Sequence, residues 1–173
     1  KPTTKFVVPY LTQVGLLAPV GGAKQISLSI LGPVLTVLQA LSAQALRRLA
    51  DFDTVIDARS EDEHTLDHLP GAINWPTLDN AERIEIGTLY KQVNAFEAKK
   101  RGAAIAARNI AAHIEREVID KPKGWKPLVY CWRGGSRSGA LATILGAIGF
   151  QGTRMECGYK AWRAALVDDI PRL

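Results

Sequence analysis

From residue 54 onward, short apolar runs alternate with helical stretches, and this alternation limits the fold more than any other feature of the sequence. Residues 54–56, 128–130 and 153–156 have the length and composition of buried strands. Helical patterns occupy residues 81–119 and 137–148. Because parallel strands need crossover connections, the order predicts an α/β fold of three layers, with a mostly parallel central sheet and helices on both faces.

Several residues predict where the helices begin and end. Ser60 with Glu63 three residues later is typical of a capping box at a helix start, and Pro70 with Gly71 interrupts that helix. The long helical pattern is expected to break near Gly87 or at residues 92–94. Gly149 is expected to end the helix over 137–148.

Composition favours one globular domain in a reducing, cytoplasmic setting. The chain has 173 residues, of which 47% are hydrophobic and 23% charged, enough for a buried core. Its two cysteines, Cys131 and Cys157, are too few for a disulfide scaffold. Neither they nor the three histidines have metal-ligand spacing, so we expect no metal site.

The formal charge of +5 is compatible with an anionic partner but does not choose among phosphate, thiosulfate and tRNA. Lys99, Lys100, Arg101 and Arg108 concentrate part of this charge on one helical stretch. A solvated helix face explains such a run without any partner.

The segment before residue 41 is apolar and receives no functional assignment. No charged residue lies between Lys24 and Arg47, a length that approaches the ~20 residues of a membrane span. Polar residues interrupt the stretch, so a short strand followed by a packed helix that begins near Ser42 is the preferred interpretation, and we expect no membrane partner. A processed amino-terminal signal is the alternative. The predicted organisation is an unassigned segment, 1–40, and one domain, 41–173.

Residues 130–138, Tyr-Cys-Trp-Arg-Gly-Gly-Ser-Arg-Ser, carry the strongest chemical signal. Cys131 leaves a predicted strand at its carboxyl end, where open α/β sheets bind ligands. Gly134 and Gly135 allow the loop to curl with its amides inward, and the next helix adds its positive end. Arg133 and Arg137 add forked cationic donors. Together these features favour a reactive thiolate; the alternative is that Cys131 is a small buried core residue.

Three motifs resemble the successive signatures of a rhodanese domain. They are Asp57-Ala58-Arg59-Ser60, residues 67–74 (Asp-His-Leu-Pro-Gly-Ala-Ile-Asn) and the Cys131 loop. Residues 82–92 and the Cys-Trp-Arg-Gly-Gly string at 131–135 resemble, more narrowly, the rhodanese part of bacterial tRNA 2-selenouridine synthases. The resemblance covers the chain from about residue 41 to its end.

This resemblance implies replacement of sulfur by selenium in the wobble 2-thiouridine of tRNA. Selenophosphate is the implied selenium donor, geranyl diphosphate a further substrate of the full-length family, and no cofactor is expected in this domain. The catalytic nucleophile maps onto Cys131, which would hold sulfur or selenium as a persulfide or selenylsulfide. The anion cradle maps onto the loop residues Trp132, Arg133, Gly134, Gly135, Ser136 and Arg137, with Asp57, Arg59 and Ser138 in supporting positions.

The sequence departs from the family pattern at three places. It has no Gly-x4-Gly-Lys-Ser/Thr motif of the P-loop domain that follows the rhodanese part in this family. His64 stands where an aromatic Phe is usual, and we expect a packed imidazole there. Cys157 precedes Gly158 where the family has two glycines; it would be strained if the position needs a positive φ, and a resolving thiol is the alternative to a plain substitution.

Two other functions fit parts of the same sequence. Cys131 and Arg137 have the Cys-x5-Arg spacing of cysteine phosphatases, some of which share the rhodanese fold. A phosphatase also needs an acid for the leaving group, and the loop contains no carboxylate, so one would have to come from elsewhere. The second alternative is a non-catalytic module that docks tRNA.

Overall fold

A computed structural model describes residues 36–39 and 48–169 of the chain, with side chains from 48 to 167. These residues all lie in one compact unit, Pro33–Leu173. The helix predicted to begin near Ser42 falls almost entirely outside the described residues. The domain boundary predicted at residues 40 and 41 stays a prediction.

Within the described residues, five strands form one sheet in which every pair of neighbours is parallel. Its order is β1-β5-β4-β2-β3, so β4 occupies the centre. The strands are β1 (Thr36–Gln39), β2 (Thr54–Asp57), β3 (Ile73–Asn74), β4 (Pro127–Tyr130) and β5 (Thr153–Glu156). The strands predicted from the three apolar runs are confirmed as β2, β4 and β5. The short strand expected in the apolar amino-terminal stretch is β1, whereas the two-residue edge strand β3 was not predicted.

Between residues 54 and 169, five helices connect and flank the strands. They are α1 (Glu61–Leu66), α2 (Asn80–Gln92), α3 (Ala95–His113), α4 (Ser136–Ile148) and α5 (Gly158–Asp169). A π-helical turn, Ile114–Val118, continues α3. The break in the long helical pattern lies at residues 93–94, one of the two places predicted.

The side chains of the sheet alternate between two apolar clusters, one on each face. On β4, Val129 and the following Cys131 join a cluster with α3 and α4, while Leu128 and Tyr130 join a cluster with α5. On β2, Ile56 belongs to the first cluster and Val55 to the second. Because successive residues of a strand face opposite sides, both faces are covered. The predicted three-layer arrangement is confirmed.

Local chemistry fixes the helix ends near the sheet. Ser60 and Glu63 form the predicted capping box at α1, and Asp79 and Glu82 form a second one at α2. Gly149 ends α4 with φ of 113°, a conformation that disfavours any residue with a Cβ. The two capping boxes fix where α1 and α2 begin after the chain leaves β2 and β3, and Gly149 ends α4 before the chain enters β5.

Candidate active site

The loops that follow β2 and β4 lie side by side at the carboxyl edge of the sheet. Asp57 pairs with Tyr130 in register, and the amide of Ala58 donates to the carbonyl of Tyr130 at 2.9 Å. Cys131 is the next residue after Tyr130. The topology therefore brings the Asp57–Ser60 motif against the start of the cysteine loop, at the edge where parallel sheets bind ligands.

The carbonyls of the cysteine loop are bound to the start of α5. The amides of Tyr159 and Lys160 donate to the carbonyls of Cys131 and Trp132 at 2.9 and 3.0 Å. In a planar trans peptide the carbonyl and the next amide point in opposite directions. The amides of Trp132 and Arg133 therefore point away from α5 and are free to form one side of an anion-binding nest.

Glycine is required at two positions where the loop meets β5 and α5. Gly134 has φ of 64°, and a Cβ there would lie 2.8 Å from the carbonyl oxygen of Met155. Gly158 has φ of 58°, and a Cβ there would overlap the carbonyl oxygen of Cys131. Cys157, between them, also has a positive φ, 58°. The left-handed backbone foreseen for this position is thus present, and Cys157 bears the steric cost that a glycine avoids.

Cys131 combines a buried position with a polar contact on its sulfur. The residue is 3% exposed and packs with Ile56 and Ala58. Its Sγ atom lies 3.1 Å from the Oγ atom of Ser138, in the first turn of α4. The sulfur therefore contacts the positive end of a 13-residue helix as well as the core. Burial agrees with the alternative of a small core residue, while the contact with a hydroxyl at a helix start is a polar one that such a residue does not need.

Arg137 forms an ion pair with a side chain from the first turn of α1. Its Nη1 and Nη2 atoms donate to the two carboxylate oxygens of Glu63 at 2.6 and 3.3 Å. Burial opposes ionisation of Glu63, but the hydrogen bond and charge of Arg137 outweigh it and lower the pKa of that carboxyl from its ordinary value. The sequence showed Glu63 only as a capping residue; its second role could not be seen before the two loops were placed together.

Asp57 is the centre of a buried polar cluster beneath the two loops. Arg59 donates to both of its oxygens at 2.7–3.0 Å, and the hydroxyl of Tyr130 donates to Oδ2 at 2.9 Å. The Arg59 guanidinium also lies over the ring of Tyr159, 4.2 Å from its centroid. The expected ion pair between Asp57 and Arg59 is therefore present. This buried pair contacts Tyr130, the residue before Cys131, and Tyr159, at the start of α5. Tyr159 in turn donates its amide to the carbonyl of Cys131.

The comparison with known families agrees with this geometry. The family model for the rhodanese-like domain matches residues 41–165. This chain belongs to the rhodanese-like family. The resemblance to a rhodanese domain that the sequence motifs indicated is confirmed.

Two curated relatives indicate a narrower group within this family. This rhodanese-like domain is 38% identical over 133 residues to a tRNA 2-selenouridine synthase of Proteus mirabilis. The match covers 74% of the chain and 36% of that protein. It is 33% identical over 122 residues to a tRNA 2-selenouridine synthase of Nitrosomonas europaea, covering 68% of the chain and 31% of that protein. The chain thus spans about a third of the length of these curated relatives.

A solved structure also shares the fold. It is the N-terminal domain of a Clostridium difficile 630 protein described as ATP/GTP binding. The identity is 30% and the TM-score 0.62, with 76% of this chain and 99% of that chain covered. The likeness extends over the whole of that domain, as expected for a unit that folds around one sheet.

The remaining predicted site residues of the rhodanese-like domain differ in exposure. Arg133, Gly135 and Ser136 are exposed, while Trp132 is half-buried and packs against Tyr159 with ring centroids 5.8 Å apart. The exposed residues can meet a ligand that approaches the loop from solvent. Trp132 contributes mainly to the cluster that supports the loop from the α5 side.

His64 is a packed imidazole, as predicted. Its Nδ1 atom lies 3.1 Å from Oδ2 of Asp57, and its ring stacks on that of His68 with centroids 4.1 Å apart. It thus contributes a further polar contact to the buried aspartate.

The described residues of the rhodanese-like domain contain neither a metal-binding cluster nor a membrane-spanning helix. Within residues 36–39 and 48–169, no group of three or more His, Cys, Asp or Glu side chains is arranged to hold a metal ion. None of the helices in the same part of the chain has both the length and the apolar character needed to cross a membrane.

Proposed function

We propose that this domain is a chalcogen transferase that carries sulfur or selenium on Cys131. The position of Cys131 supports the proposal: it lies at the carboxyl end of the central strand, with its sulfur 3.1 Å from a hydroxyl in the first turn of α4. A thiolate there gains a hydrogen bond from Ser138 and the positive end of a helix. A soft, activated thiolate is the nucleophile that sulfane sulfur requires.

The loading step follows from this arrangement. With thiosulfate as donor, the Cys131 thiolate attacks the outer sulfur, a new S–S bond forms, and the S–S bond of the donor breaks. Sulfite leaves with the electron pair, and Cys131 holds a persulfide anion. Inward-facing amides of the loop would then bind that terminal anion, because they are already oriented by the bonds that hold the loop carbonyls to α5.

The other loop residues receive roles in the same proposal. Arg133, Gly134, Gly135 and Ser136 would form the anion cradle, with Trp132 at its rim. Arg137, the last predicted member of the cradle, would lie beside them with its guanidinium paired to Glu63. Asp57, Arg59 and Ser138 would support it: Ser138 from within the loop region, and the buried Asp57–Arg59 pair from below.

The relatives suggest the larger reaction in which the domain takes part. We propose that a longer protein containing it converts wobble 2-thiouridine of tRNA into 2-selenouridine; the relatives' names give 2-selenouridine in tRNA as their own product. Selenophosphate would be the selenium donor, geranyl diphosphate a substrate of the longer protein, and tRNA the macromolecular partner, in the cytoplasm. This domain would hold no cofactor of its own.

Intact mass spectrometry tests the proposal directly. The protein is exposed to thiosulfate and should gain the mass of one sulfur atom. Cys131→Ser should abolish the gain, while Cys157→Ser, which changes the other cysteine of the chain, should retain it. Absence of any gain in the unmodified protein, or an equal gain in Cys131→Ser, would contradict the proposal.

The phosphatase alternative depends on an acid near the loop. Glu63 is the carboxylate that contacts Arg137, but its lowered pKa keeps it ionised at neutral pH, which does not suit a proton donor. This speaks for chalcogen transfer. Comparison of p-nitrophenyl phosphate turnover with sulfur transfer from thiosulfate to cyanide separates the two activities.

The docking-module alternative is tested by Cys131→Ala. A pure tRNA-docking module would retain all of its activity in this variant, whereas a chalcogen transferase loses sulfur transfer to cyanide.

A further inference from the structure

The guanidinium of Arg137 is already occupied by an anion, and that anion belongs to the protein. Both terminal nitrogens donate to the Glu63 carboxylate, at 2.6 and 3.3 Å. Both side chains are largely shielded, with 22% and 20% of their surface exposed. Two parallel N–H···O bonds to a carboxylate are the geometry that an arginine also uses for phosphate or sulfate.

The carboxylate of Glu63 is itself held in place by the N-cap residue of its own helix, α1. The backbone amide and the hydroxyl of Ser60 both lie 3.2 Å from its Oε2 atom, as the capping box of α1 requires. Arg83 adds a longer contact of 3.7 Å to the same oxygen. Since Ser60 follows directly on the buried Asp57–Arg59 pair, Glu63 is presented to Arg137 by a fixed part of the fold.

This arrangement changes what the loop can bind. A ligand that needs both terminal nitrogens of Arg137 must first displace the Glu63 carboxylate. Until the carboxylate is displaced, its negative charge cancels the positive charge of Arg137. A persulfide or selenylsulfide anion carries one negative charge and can be bound by loop amides alone, whereas phosphate carries nearly two charges and benefits most from a forked arginine.

We infer that Glu63 is a specificity-determining residue that shields Arg137 and makes the cysteine loop discriminate against phosphate-like oxyanions. The inference rests on the proposed function in one respect, that the loop binds the anion carried on Cys131. It assigns to Glu63 a part in the site beyond its cap on α1, and it explains how a loop with Cys-x5-Arg spacing can avoid phosphate in a cell.

Isothermal titration calorimetry with inorganic phosphate tests the inference. Glu63→Gln keeps the size of the side chain and removes its charge. We expect this variant to bind phosphate about tenfold more tightly than the unmodified protein, because one unit of positive charge is uncovered beside the loop. The double variant Glu63→Gln/Arg137→Gln should lose that gain.

Glu82→Gln is a matched control. Glu82 is also the third residue of a capping box, at α2, and it also pairs with an arginine, since Arg108 Nη2 donates to its Oε1 atom at 2.6 Å. It lies on another helix, so its substitution should leave phosphate affinity unchanged. Unchanged or weaker phosphate binding by Glu63→Gln would overturn the inference and assign Glu63 a purely structural role. Loading of Cys131 by thiosulfate is measured separately, so failure of the proposed function is distinguishable.

Discussion

The Sγ atom of Cys131 and the Oγ atom of Ser138, seven positions apart in sequence, lie 3.1 Å apart between the loop and the first turn of α4. The same hydroxyl lies 3.3 Å from the carbonyl oxygen of Gly135. A hydroxyl has one hydrogen to donate. It can donate to Gly135 when the sulfur carries a proton, and to the sulfur when Cys131 is ionised, so the pair can follow the charge of the thiol without moving heavy atoms.

Ser138→Ala should therefore slow the reactions of Cys131. A hydrogen bond to a charged group contributes about 1.5–3 kcal/mol, so we expect the alkylation rate at neutral pH to fall by about tenfold or more. The measurement is the rate of iodoacetamide modification of Cys131, followed by peptide mass spectrometry in a Cys157→Ser background, which removes the exposed thiol.

Thr77→Val is the control for that experiment. Thr77 is fully buried, and its hydroxyl donates to the carbonyl of Ala58 at 3.3 Å, away from the sulfur. Its substitution also deletes a buried hydroxyl but should leave the alkylation rate within about twofold, because no charged partner is lost. Equal slowing in both variants would show that Ser138 acts through packing alone.

Asp57→Asn should destabilise the domain strongly. Asp57 and Arg59 are 0% and 2% exposed, and removing one charge of a buried pair leaves the other uncompensated. The expected loss is about 3–5 kcal/mol of unfolding free energy, measured by urea titration. Glu85→Gln, which breaks the exposed pair of Glu85 with Arg101, should cost no more than about 1 kcal/mol. Similar losses in the two variants would contradict this account.

The pair of Glu63 with Arg137 should make stability depend on pH in the acid range. The pKa of Glu63 is lowered in the folded state from its ordinary value of 4.5, so the folded protein binds fewer protons than the unfolded chain below that pH. The contribution is complete above 4.5 and is lost as pH falls through the folded pKa. The difference in unfolding free energy between the unmodified protein and Glu63→Gln should therefore shrink as the pH falls. When both proteins also carry Arg137→Gln, this difference should be nearly independent of pH.

Local sequence was sufficient to predict most elements of the fold. The runs that became β2, β4 and β5 are apolar and flanked by turn residues, and Ser60 with Glu63 is a complete local signal for a helix start. Gly149 ends α4 as predicted, because only its left-handed backbone is needed there. The two-residue strand β3 had no such signal, since its pairing with β2 depends on where the chain returns to the sheet.

The candidate site was predictable only in part, for the same reason. The position of Cys131 at a strand end follows from the sequence, and so does the pairing of Asp57 with Arg59, two residues apart. The contact of Glu63 with Arg137 joins residues 74 apart in sequence, and the burial of Cys131 depends on packing from α3 and α4. These relations arise when parallel strands bring separate loops to one edge.

Cys157→Gly should stabilise the domain, because Cys157 is the one residue other than glycine within the described part of the chain that has a positive φ. A left-handed conformation costs a residue with a Cβ about 1–2 kcal/mol, and the larger entropy of glycine in the unfolded chain offsets part of that gain. We expect a net increase of about 0.5–1 kcal/mol in unfolding free energy, measured by urea titration. Cys157→Ser keeps the Cβ and should show no increase; a gain of equal size in Cys157→Ser would mean that loss of the thiol, and not relief of the backbone, stabilises the protein.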